Sequence, residues 1–207
     1  MKFIIGEKKK MGQIFKDDKM IPVTQVKAGP CFVAQIKSKE KDGYQAVQLG
    51  FREVKKRLKK PQKGHLKNLP SLRYLKEFRL PAEKEIKFKR GDKIDVSIFE
   101  KGEKVDVVGI SKGKGFTGVV KRYGFKDGPK THGQKHDLRM PGSIGATGPQ
   151  RVLKGKKMPG RMGNKRVTIK NLEIIDIDKE KNLLLIKGGL PGAYGSLLLI
   201  LSKDKKK

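Results

Sequence analysis

The sequence predicts a mainly β protein with minor α content: a small closed β-barrel with an inserted subdomain and a long extended loop. Three observations predict it. Short segments near both ends alternate apolar and polar residues, the pattern of half-buried strands. Between them, residues 52–90 are strongly cationic, and the 37 residues from Asp127 to Gly163 show neither helical nor strand periodicity. The expected division is a discontinuous barrel of residues 1–51, 91–126 and 164–207, a basic subdomain with a short helix over 52–90, and an arm over 127–163.

Residues 2–6 (KFIIG) and 12–15 (GQIF) read as short strands, and Asp17-Asp18-Lys19 supplies turn chemistry before the β-branched run MIPVTQVKA. Phe32 to Lys37 alternates, and YQAVQLGF does so again after the KEKDG turn. Short strands joined by tight turns are the mark of a barrel or sandwich. In the cationic stretch, Ser71 follows Pro70 and is placed to cap a short helix, SLRYLKEF. KIDVSIF and VDVVGI resume the strands before the arm. RVTIKNLEIIDID, the buried run NLLLIKG and GSLLLILS continue them after it, and SKDKKK reads as a frayed tail.

Fifty-one Lys and Arg against 21 Asp and Glu give a formal charge of +30 on 207 residues. Such self-repulsion calls for a polyanionic partner, and nucleic acid fits because phosphate contacts release counterions. A membrane is not expected: no bulky amphipathic helix or lipidation signal is visible, and the longest apolar run is Leu197 to Leu201. MKFIIG is too short in apolar residues for a signal peptide. Cys31 is alone, which excludes a disulfide framework and a multi-cysteine zinc site, and it reads as a small core residue in a reducing, cytosolic setting.

The stretch Gly109–Gly163 holds 13 of the 25 glycines, with Asp127 and Asp137 as its only acids. So long a loop in a compact domain is functional or disordered, and one mixing Gly with Lys, Arg and His reads as an arm that orders on a polyanion. Its two roots carry Lys112, Lys114, Lys121, Arg122, Lys154, Lys156, Lys157, Arg161, Lys165 and Arg166, all expected to meet phosphate. Lys130, His132, Lys135, His136, Arg139 and Arg151 lie along it and join that set. His132 and His136 are four apart, but Gly133 intervenes and no third ligand is near, so contact with nucleic acid is favoured over metal. Gly113, Gly115 and Gly118 fit G-x-G-x-x-G without the βαβ context or the kinase elements that a nucleotide site needs. What remains is close approach of backbone to phosphate. No catalytic residue, metal, cofactor or small-molecule substrate is expected.

Phe99, Asp106, Gly109, Ser111, Gly113, Lys114, Gly115, Gly118 and Arg122 stand at a spacing that resembles the signature of the universal L-three family of large-subunit ribosomal proteins. THGQKHDLRMPGSIG, KGKKMPGRMGNKRVT, NLLLIKGGLPGAYGSLLLI and the opening KKMGQIF extend the resemblance over essentially the whole chain. It implies a translation-factor-like barrel on the outside of the large subunit and a loop threading through large-subunit rRNA toward the peptidyl transferase centre. It also implies an early role in assembly, neighbouring large-subunit proteins as partners, and a cytoplasmic place in the ribosome. The tip near that centre would comprise Ser143, Gly145, Ala146, Thr147, Gly148 and Gln150. It is one residue shorter than in many relatives, so Gln150 is not matched to the glutamine that some of them methylate. The competing readings are a transiently bound RNA factor and an enzyme using the glycine loop.

Overall fold

The computed structural model describes residues 2–16, 18–54, 58–81 and 88–202. Asp17 of the first expected turn, residues 55–57 of the cationic run and the expected frayed tail beyond Ser202 lie outside the described residues. In chain order, β1 (Phe3–Lys16), β2 (Lys19–Ala28) and β3 (Cys31–Lys37) lead to α1 (Lys39–Asp42) and β4 (Ala46–Glu53). Then come α2 (Lys60–His65), β5 (Leu72–Arg79), β6 (Lys93–Ile94), a 3-10 turn at Val96–Ile98 and β7 (Lys104–Ile110). After these follow β8 (Phe116–Thr117), α3 (Val119–Tyr123), β9 (Gly160–Arg161), β10 (Arg166–Asp178), β11 (Leu183–Lys187) and β12 (Leu197–Ser202). The chain divides into two compact units, Met1–Ile110 with Arg166–Lys207, and Ser111–Lys165.

In the larger unit six strands close into a barrel in the order β1-β12-β7-β10-β11-β2, and β2 pairs back onto β1. Every pairing is antiparallel. The apolar runs near the C-terminal end alternate in burial: Leu184 and Ile186 of β11, and Leu198, Ile200 and Ser202 of β12, are buried, while their neighbours are partly or fully exposed. The run at 183–187 is therefore half-buried rather than buried throughout. The two segments expected at 2–6 and 12–15 are one strand, β1, with a register shift between Lys8 and Met11.

Phe3, Ile4 and Ile5 are all buried, so β1 is covered on both faces. The reason is a second sheet, ordered β5-β4-β3-β6, whose Phe78 stacks on Phe3 with ring centroids 4.7 Å apart. One hydrophobic cluster spans both, joining Ile5, Val107, Ile186 and Ile200 of the barrel to Val33, Leu49 and Phe51 of the second sheet. Outside, Glu77 accepts hydrogen bonds from Lys37 and Tyr44, and these hold its carboxyl below the usual carboxylate range.

Two expectations are corrected. Residues 32–37 and 44–51 were expected in the barrel, yet β3 and β4 pair with each other and with β6 and β5. Residues 71–78 were expected to form a helix, yet Leu72–Arg79 is a strand paired with β4, with Leu72 and Phe78 buried. Pairing with β4 and the burial of Leu72 and Phe78 override a capping signal and good helix formers. The short helix of this stretch is α2, with Pro61 inside its first turn. Of KIDVSIF, only Lys93–Ile94 is strand.

Candidate nucleic-acid interface

Ile110 and Arg166 are register partners in the β7–β10 ladder, so the chain leaves the barrel and re-enters it on neighbouring strands. Between them the smaller unit begins as a narrow antiparallel ribbon. Ser111 donates its N–H to the Lys165 carbonyl at 2.9 Å, and its Oγ accepts the Lys165 N–H at 3.2 Å. Lys114 and Met162 continue the ribbon through bonds from Lys114 N–H to the Met162 carbonyl and from Met162 N–H to the Gly115 carbonyl. Strands β8 and β9 complete it. Gly163 makes this closeness possible. Its φ is +75°, and a Cβ there would stand 2.1 Å from the Lys112 carbonyl oxygen.

Beyond the ribbon, α3 is five residues long, with Val119 buried. Arg122 extends from it to the Met158 carbonyl, Nη1 donating at 2.7 Å, and ties the outgoing chain to the returning one. Its guanidinium also lies over the Tyr123 ring, as does Lys157 Nζ at 5.9 Å. No regular element occurs between Tyr123 and Gly160. The loop is instead shaped by local bonds. Asp127 takes both the backbone N–H and the side chain of Arg139, and Gln150 donates its N–H to the Thr147 carbonyl. Asp137 contributes its carbonyl, which accepts the Met140 N–H.

Fourteen Lys and Arg stand against two acids between Ser111 and Lys165. Every basic residue named from the sequence is exposed except Arg122, which is half-buried and committed to Met158. That holds for Lys112, Lys114, Lys121, Lys130, His132, Lys135, His136, Arg139, Arg151, Lys154, Lys156, Lys157, Arg161 and Lys165, and for Arg166 at the first position of β10. The tip residues Ser143, Gly145, Ala146, Thr147, Gly148 and Gln150 are exposed too, with Ser143 Oγ donating to the Gly145 carbonyl. No member of the main hydrophobic cluster comes from this unit. Unused apolar side chains, Met140, Ile144 and Leu153 among them, stand in solvent along it.

Sequence reasoning passed over two aromatics, Phe116 and Tyr123. The signal was there: an aromatic set among glycines and lysines in GKGFTG and KRYGF. Among the described residues no group of three His, Cys, Asp or Glu is placed to hold a metal ion.

Barrel and second sheet in one unit, and a cationic ribbon-and-loop in the other, define a mainly β protein with a strongly basic arm. Residues 78–187 match the family described as Ribosomal protein L3. Proteins named large ribosomal subunit protein uL3 align end to end. That of Thermosipho melanesiensis is 54% identical over 99% of this chain and 100% of its own length. Those of Thermosipho africanus and Carboxydothermus hydrogenoformans are each 53% identical, over 97% and 100% of this chain. The chain belongs to the ribosomal protein L3 family.

Proposed function

We propose that this chain is a structural constituent of the large ribosomal subunit, located in the cytoplasm, that binds large-subunit rRNA directly through the arm Ser111–Lys165. It is not an enzyme. The observation that carries the reading is the arm itself: fourteen basic residues, two acids and no contribution to the main core. A chain segment that buries so little apolar surface does not meet its own ordering entropy, so its partner supplies the missing contacts. Phosphates would be met by the exposed Lys and Arg, and the exposed backbone of the glycine-rich turns lets rRNA approach closely.

The finer reading follows the family resemblance. The barrel, of translation-factor type, sits at the subunit surface beside neighbouring ribosomal proteins, and the arm runs inward toward the peptidyl transferase centre and organises rRNA early in assembly. Residues 143–150 contain no ionisable side chain. The tip therefore suits a place near a reaction centre to which it adds neither charge nor general base. Sedimentation tests the function: the protein is expected to stay with large subunits through a high-salt wash. Its release into the soluble fraction would instead identify a transiently bound factor.

A further inference from the structure

The most exposed large apolar side chain of the arm is Phe116, at 78%. It lies in the ribbon, on a strand paired across the arm, and not in a turn. Strand β8 alternates: Thr117 points inward and is buried, with its Oγ1 3.4 Å from the Gly160 carbonyl, and Phe116 is thereby held outward. Its register partner across the ladder is Arg161. Next to it, Gly115 has φ +68° and open space where a side chain would be, and Gly118 is likewise open. Tyr123 already lies under Arg122 and Lys157, whereas among the described residues no ring or cation covers Phe116. The result is an unobstructed aromatic face, fixed by a two-strand ladder, with Arg161 opposite it and Lys112 and Lys114 preceding it in sequence.

We infer that Phe116 is a stacking platform for one unpaired base of the large-subunit rRNA, with Arg161 and the neighbouring lysines holding the flanking phosphates. The inference rests on the rRNA-binding reading and deepens it. Aromatic side chains take unstacked bases face on, whatever their identity, and the contact is not ionic. Charge therefore determines how binding responds to salt, while Phe116 adds affinity that salt does not remove. An apolar pocket on a neighbouring protein would also cover a phenyl ring, but it gives no reason for an arginine as its cross-ladder partner and lysines at 112 and 114.

The chain has no tryptophan, so full-length protein carrying Phe116→Trp has a single indole reporter at this position. Added to protein-free large-subunit rRNA, its emission should be quenched, and high salt should restore it. Unchanged emission, or a blue shift without quenching, would overturn the inference. In parallel, Phe116→Ala and Phe116→Leu should both weaken rRNA binding about 5- to 100-fold at an unchanged salt slope, with barrel circular dichroism intact. Full affinity in the leucine variant would show an apolar contact and sink the stacking. Absence of salt-dependent rRNA binding by the unmodified protein would overturn the functional reading along with it, whereas tight binding with unquenched tryptophan overturns the stacking alone.

Discussion

Asp127 grips Arg139 twice, Oδ1 accepting its backbone N–H at 3.0 Å and Oδ2 accepting Nη1 at 2.8 Å. Arg139 has φ +60°, unfavourable for a side chain with a Cβ. The bidentate grip holds it there and closes residues 127–139 into a loop. One of the arm's two acids thus serves shape and leaves the neighbouring cations free.

Replacing Asp127 by Ala should speed amide exchange at Arg139. It should change global stability by about 1 kcal/mol or less, as expected for an exposed ion pair. Hydrogen exchange and a thermal melt check the two halves separately. A large loss of global stability would mean that the loop supports the core.

Gly163→Ala should disrupt the ribbon. The added Cβ meets backbone rather than a movable side chain, and the residue stays in left-handed φ. The expected cost is at least about 1 kcal/mol, confined to Ser111–Lys165. Loss of the Lys114 and Met162 amide protections with unchanged protection in β7 and β12 would be the signature.

Cys31 should be inert while the protein is folded. Burial pushes its thiol from an ordinary 9.0 up to about 12, with Asp95 adding to the rise, although its Sγ reaches the Ile5 carbonyl at 3.5 Å. The folded state keeps the proton where the unfolded chain loses it. The linked stability is therefore complete below pH 9.0 and declines as pH rises toward about 12. Alkylation at pH 8 should be slow in the native protein and fast in guanidinium. Fast native labelling would show that the site opens.

Replacing residues 143–150 by Gly and Ser should leave peptide-bond formation measurable in fully assembled particles, since the tip offers no group for proton transfer. Complete loss of peptide-bond formation in such particles would make the tip catalytic.

The barrel was legible where strands have one wet face. The alternation of 166–178 and the apolar run of 197–202 called for strands, and β10 and β12 are there. Sheet membership was not legible, because Cys31–Lys37 alternates in the same way whether it pairs with a barrel strand or with β4. At 71–78 the period-two set Leu72, Tyr74 and Phe78 was present, but Ser71 and LKEF imitate a helix start and a helical body. Only pairing with β4 decides it. In the arm, basic composition identified the exposed residues. It could not separate Arg122 and Arg139, held by Met158 and Asp127, from the cations that remain free, because those partners lie 36 and 12 residues away.

The arm should carry the electrostatic share of rRNA binding, and the barrel should fold without it. A variant in which a short Gly-Ser linker replaces residues 129–157 keeps β8, β9 and Met158 and removes seven Lys and Arg. The measurement is the log-log salt dependence of binding to protein-free large-subunit rRNA, for the full chain and for this variant. With about 0.7 to 0.9 per phosphate neutralised, the slope should fall by about 3 to 6 units, with the cooperative melt and strand signal preserved. Equal slopes in two folded proteins would contradict the account and place the phosphate contacts elsewhere on the molecule.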